Sequence, residues 1–150
     1  MRIAVLGAGN GGQAMAAYLA LKGAQVNLYN RSQDRCVAIR KLGGINLSGL
    51  CKGFGRLNLV TSRVELAIRD AELIMVVTPA VAHRSLARKM APYLRDGQII
   101  ILNPGRTGGA LEFYSELVKS NCRADVAIAE TQTFLFASRI IGPAEVRIYG

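Results

Sequence analysis

Gly7-Ala8-Gly9-Asn10-Gly11-Gly12 has the spacing G-x-G-x-x-G, and an apolar run, Ile3 to Leu6, leads straight into it. Each glycine of the pattern answers a separate demand of dinucleotide binding. Gly7 permits a tight strand-to-helix turn, Gly9 lets backbone approach a pyrophosphate, and Gly12 lets the next helix pack close to its strand. Phosphate oxygens then meet free amides at a helix N-terminus. A chain with 16 glycines shows such spacing by chance. The strand before this one and the helical pattern after it set it apart.

About twenty residues beyond the glycines, where a dinucleotide fold reads the adenosine ribose, stands Asn30-Arg31-Ser32. A site for NAD usually holds an acidic residue here, accepting hydrogen bonds from the ribose 2′-hydroxyl, and that carboxylate repels a 2′-phosphate. This chain has none. Arg31 offers a planar, permanently charged donor fork suited to phosphate, with Asn30 and Ser32 as supporting donors. The reading is NADP preferred, with NAD still accommodated; the plainer alternative makes Arg31 a solvated residue at the start of the next helix.

In open α/β sheets ligands lie across the carboxyl ends of the strands, which directs attention to Thr78, Pro79, Asn103 and Glu130. Thr78 and Pro79 would flank the middle of the cofactor, although proline also simply opens helices. An Asn103 amide could bond a ribose or carboxamide, although Asn-Pro-Gly is also ordinary turn chemistry. Glu130 either orients a ligand or pairs with an arginine. His83, the only histidine, titrates in the range of a general base. It lacks an evident carboxylate partner, and a lone helical histidine is more often structural. No residue is assigned as catalytic, and no G-x-x-x-x-G-K-[ST] loop for ATP occurs.

These residues need elements to hold them. Periodicity predicts strand 2–6, helix 10–22, strand 24–30 and helix 32–42, closed by Gly43-Gly44. The pattern then alternates at Ile45 to Ser48 and at Arg56 to Leu59, which predicts an antiparallel hairpin inserted in the crossover, turning through Gly49 to Gly55. Helix 64–71, strand 73–77, helix 80–92, strand 98–102, helix 110–120 and strand 125–129 follow. Residues 134–150 are ambiguous, with a strand pattern at Val146 to Tyr149. Near-continuous apolar strands alternating with helices predict an α/β, Rossmann-type, doubly wound and mostly parallel sheet carrying an inserted β-hairpin.

The 150 residues suit one dinucleotide-binding domain, with 51% hydrophobic content ample for a core. No apolar run has the length of a membrane span and no signal-peptide pattern opens the chain, so the expected location is cytoplasmic. The three cysteines, Cys36, Cys51 and Cys122, are widely spaced; they indicate neither a disulfide framework nor a zinc site, and they read as reduced thiols. A net charge of +9 raises nucleic-acid binding. Against it, the cations are scattered without a basic run and aromatics make up only 6%, leaving little to stack on bases. A diffuse positive field equally attracts a polyanionic cofactor.

With these residues in hand, the chain resembles the N-terminal domain of the octopine/nopaline (opine) dehydrogenase family. The resemblance rests on the segments 3–14, 30–32, 76–80 with His83, 103–113 and 129–133, and is most specific in Asn10-Gly11-Gly12 taken together with Asn103 to Phe113. It implies NAD(P)-dependent coupling of a 2-oxo acid to an amino acid amine, with hydride passing from the nicotinamide to an imine carbon. It also implies a second, mainly helical domain supplying a His-Asp pair and much of the substrate site. That domain is absent from these 150 residues, so the chain is expected to bind cofactor without turnover and to be part of a longer enzyme. The implied partners are a nicotinamide dinucleotide and, through the missing domain, the two substrates; a homodimer stays open, and neither nucleic acid nor membrane is expected. A stand-alone NAD(P)-sensing or interaction module is the alternative.

Overall fold

In a computed structural model describing residues 1–150, six of the apolar runs pair into one sheet in which every neighbouring pair is parallel. The chain forms β1 (Arg2–Leu6), α1 (Asn10–Leu21), β2 (Gln25–Tyr29), α2 (Asp34–Leu42), β3 (Gly44–Gly49), β4 (Gly53–Arg56), β5 (Leu59–Thr61) and α3 (Val64–Ile68). It continues through β6 (Leu73–Val76), α4 (His83–Met90), β7 (Ile99–Leu102), α5 (Gly109–Lys119), β8 (Ala127–Glu130), β9 (Ser138–Gly142) and β10 (Glu145–Ile148). The large sheet runs β5-β2-β1-β6-β7-β8. Numbered among themselves, its strands have the order 3-2-1-4-5-6 of a dinucleotide-binding sheet, and the order reverses between β1 and β6. The doubly wound parallel fold read from the sequence is therefore correct.

The hairpin is present but differs in place and extent. β3 and β4 pair antiparallel, as expected, yet they join β10 and β9 in a separate four-stranded sheet, β4-β3-β10-β9. The predicted second arm ran on to Leu59, whereas the chain leaves the hairpin after Arg56 and enters the large sheet as β5. The alternation of Leu57 and Leu59 about Asn58 continues unbroken, so periodicity alone carried no mark of the change of sheet. Asn58 makes the transfer: its backbone N–H donates to the Val26 carbonyl and its side-chain amide donates to Asn27 Oδ1 at 2.8 Å.

The second sheet explains α1. Gly12, Gln13, Ala14, Met15, Ala16 and Ala17 are all buried, an apolar girdle rather than a stripe, which is the pattern of a helix covered on more than one side. One side meets Ile3, Val5, Val26 and Leu28 of the large sheet; another meets Ile45, Leu47, Val146 and Ile148 of the small one. A Cβ on Gly55 would lie 2.5 Å from Ala17 Cα, so β4 can approach the helix only as glycine. On the other face of the large sheet, Ala4, Leu6, Ile74, Val76, Ile100 and Leu102 pack with α3, α4 and α5 through Ile68, Met90 and Phe113.

Candidate functional site

The turn from β1 into α1 sits at the point where strand order reverses. Gly7 has φ +118°, and a Cβ there would lie 2.3 Å from the Val77 carbonyl oxygen; a side chain fails on conformation and on space. At Gly12 an added Cβ would fall 1.8 Å from the Gly7 carbonyl oxygen, so α1 rests directly on its own turn. Gly9 differs: its added Cβ meets nothing nearer than Arg35 Nη1 at 4.0 Å. The turn and helix packing expected of Gly7 and Gly12 are in place, and Gly9 leaves open space where a ligand would approach.

Gly9 is also the N-cap of α1, which has no side-chain cap bond and no acidic residue in its first turn. Its leading amides and positive dipole end are therefore uncompensated. The opposite holds at α5. There Glu130 Oε2 accepts a hydrogen bond from the Ala110 N–H at 2.6 Å, and Oε1 accepts one from the Gly108 N–H at 3.3 Å. Glu130 is in no ion pair with an arginine; it caps a helix, and a Cβ on Gly105 would lie 2.4 Å from its own Cβ. Of these two N-termini at the carboxyl edge of the sheet, only that of α1 is open to an anion.

Two clefts flank this open end. The first, about 330 Å³, is lined by Gly7, Tyr29, Asn30, Arg31, Thr78 and Pro79 together with one side of α4. The second, about 420 Å³, is lined by Gly9, Asn10, Gly11, Thr78 and Pro79 and by the segment from Phe134 to Arg139. Thr78 and Pro79 line both, so the two clefts form one crevice across the switch point with these residues as the ridge between them. Thr78 Oγ1 is buried without a hydrogen-bond partner.

Arg31 is exposed and in no ion pair. Its charge opposes the upward push that burial gives the Tyr29 phenol within the same cleft. Ser32 is exposed, its hydroxyl 3.5 Å from Asp34 Oδ2. Asn30 departs from the expected role of supporting donor. Its Oδ1 accepts from the Ala8 N–H at 3.0 Å and its Nδ2 donates to the Ser32 carbonyl at 3.0 Å, so it ties the glycine turn to the loop carrying Arg31. Asn103 is corrected more strongly: it is 2% exposed and donates Nδ2 to the Ile101 carbonyl at 2.8 Å, so its amide is held inside the turn.

His83 is fully buried, 6.4 Å from the Phe113 ring, with Nε2 3.2 Å from the Thr78 carbonyl oxygen. Burial pushes its pKa down, against the hydrogen bond to Thr78 and the fields of Glu112 and Glu130. It is a neutral brace under the ridge, and the general-base alternative fails for lack of access. The three cysteines are free thiols, and no group of His, Cys, Asp and Glu is placed to hold a metal. Asn10 carries a contact that local reading missed: its Oδ1 accepts from the Ile140 N–H at 2.9 Å, across 130 positions. No local pattern in residues 134–139 marks them as cleft walls.

Residues 2–131 match the family model described as the N-terminus of NAD-dependent glycerol-3-phosphate dehydrogenase. The chain belongs to this family. It is a nicotinamide-dinucleotide-binding domain, and its resemblance to the opine dehydrogenases extends over nearly the whole chain. The chain is 44% identical over 146 residues to an opine dehydrogenase of Arthrobacter sp. (strain 1C), an alignment covering 97% of the chain and 40% of that protein. Among solved structures, octopine dehydrogenase in complex with NADH and agmatine superposes with a TM-score of 0.86 at 24% identity, covering all of this chain and 40% of that one. Yersinopine dehydrogenase with bound NADP+ superposes at 0.80 and 16% identity, covering all of this chain and 39% of that one. The domain thus spans about 40% of the length of such relatives. No helix is long and apolar enough to cross a membrane.

Proposed function

We propose that the domain is the cofactor half of an opine-dehydrogenase-type oxidoreductase acting on CH–NH bonds, and that it prefers NADPH over NADH. The observation that carries the cofactor assignment is the uncapped N-terminus of α1 between two clefts, one on each side of the Thr78-Pro79 ridge. A dinucleotide has this form: two nucleosides joined by a pyrophosphate whose charge suits free helix amides. Gly7, Ala8, Gly9, Asn10, Gly11 and Gly12 would hold the pyrophosphate, Arg31 and Ser32 the adenosine ribose, and Thr78 and Pro79 the centre. Asn30 acts by fixing the turn. The bound cofactor supplies hydride. This chain's residues bind and orient it, and none is assigned to proton transfer because the sole histidine is buried.

The NADP preference rests on Arg31 and on the absence of any acidic residue from the first cleft. The family includes relatives with NADH and with NADP+ in their structures, so the choice falls to this chain's own residues. Titration calorimetry should show tighter binding of NADPH than NADH. In Arg31→Ala the NADPH affinity should fall about tenfold or more, the worth of a charge-assisted hydrogen bond at a partly exposed site, with NADH nearly unchanged. Equal affinities in the unsubstituted protein would sink the preference while leaving the dinucleotide assignment intact. The amino acid and 2-oxo acid substrates belong to the whole enzyme, consistent with relatives of greater length.

A further inference from the structure

α4 carries two consecutive basic residues with different surroundings. Arg88 turns to α5, where its Nε donates to Glu116 Oε1. Lys89 has no acidic partner and lines the first cleft together with Arg31. The helix brings it there by spacing: Ala82, Ser85, Leu86 and Lys89 are three and four apart, so they share one face, and all four line the cleft. Arg31 comes to the same cleft from just past the end of β2. Tyr29 and Pro79 line the cleft with the two cations, and none of the 11 lining residues is acidic. Two cations from different elements therefore line one cleft whose wall carries no carboxylate; Glu65, whose field reaches Tyr29, is itself paired with Arg63.

We infer that Lys89 is a second specificity-determining residue, closing with Arg31 on the phosphate monoester of an adenosine 2′-phosphate. The inference rests on the NADP reading above and extends it to a residue of α4 that lines the same cleft. A monoester carries close to two negative charges at neutral pH. One guanidinium in a solvent-open cleft neutralises only part of that charge, and an ammonium on a flexible stem can follow the remaining oxygens. The apolar wall of Val81, Ala82 and Leu86 suits the adenine that such a ligand brings along. The usual role of a lysine in a last helical turn is to face water and complement the helix dipole; that role needs no cleft and no second cation in it.

The test uses the full chain and binding alone. Affinities for NADPH, NADH and the fragment adenosine 2′,5′-bisphosphate are measured by calorimetry for the unsubstituted protein, Lys89→Gln, Lys89→Arg, Arg31→Ala and the double variant. Lys89→Gln should weaken NADPH and the bisphosphate about tenfold and change NADH less than about twofold; Lys89→Arg should restore most of the loss. Lys89 is exposed, so thermal unfolding should be unchanged and a folding defect is separable. Full NADPH preference in Lys89→Gln, lost only in Arg31→Ala, would overturn the role of Lys89 and keep the NADP reading. Equal NADPH and NADH affinities in the unsubstituted protein would overturn both.

Discussion

Gly9 and Gly12 stand three positions apart in one motif, yet the structure gives them different surroundings, open space at Gly9 and close-packed backbone at Gly12. A methyl at Gly12 would fall 1.8 Å from the Gly7 carbonyl oxygen, a backbone atom that cannot move aside, so Gly12→Ala should cost about 3 kcal/mol or more of stability. A methyl at Gly9 meets open space and a φ of −78° that alanine adopts. Gly9→Ala should cost under about 1 kcal/mol while weakening dinucleotide binding at least about tenfold, since the methyl occupies the approach to the pyrophosphate. Chemical denaturation beside calorimetry measures both; equal loss of stability in the two variants would refute the distinction. His83 makes a second prediction. Burial holds its folded pKa below the ordinary 6.5, so in that range the unfolded chain binds more protons and stability falls as pH drops below about 6.5. The contributions of Glu116, Glu65 and Glu72, whose carboxyls are held below the ordinary 4.5, are lost only in more acid solution. His83→Gln keeps a donor for the Thr78 carbonyl and should flatten the stability profile between pH 7 and 5; an unchanged slope there would assign it to another group.

At the scale of elements, the second sheet is the part of the fold that most directly governs the glycine turn. β10 lies between β3 and β9, its Val146 and Ile148 are buried against α1, and β9 reaches the turn through the Ile140 N–H on Asn10. Val146 is 0% exposed. Val146→Asp would bury an unpaired carboxylate and should cost several kcal/mol, comparable with the whole stability of a domain this size. Far-UV and near-UV dichroism through thermal unfolding would read the loss. A variant melting at the unsubstituted temperature would mean that the small sheet is dispensable. Most of the large sheet was legible because its central strands are continuous apolar runs, Ile3 to Leu6, Leu73 to Val76 and Ile99 to Leu102. The small sheet was not, because β3 pairs with β10 about a hundred positions away and in parallel, and a short alternating strand carries no label for a distant partner. β5 was hidden for a related reason, its three residues continuing the pattern of the hairpin.

For the molecule as a whole, the net charge of +9 belongs with the open α1 N-terminus and the two free cations of the first cleft. A positive field draws a polyanion, and salt screens it. NADPH affinity should therefore fall on raising sodium chloride from about 0.05 to 0.5 M, where the Debye length shrinks from roughly 14 to 4 Å, and should fall more steeply than NADH affinity. A parallel decline for both would argue against a cofactor phosphate held by exposed cations. The glycine spacing and the apolar strands are local features, and from them the sequence alone determined the doubly wound fold, the dinucleotide class and the turn proposed to bind it. What each polar side chain does was decided only by tertiary structure. Glu130 became a helix cap, Asn103 folded inward, Asn30 and Asn10 became ties, and Lys89 came to line one cleft with Arg31. The reason is physical: a polar group's role depends on which donor, acceptor or charge stands within about 3 Å, and in this fold those neighbours arrive from strands and helices far along the chain.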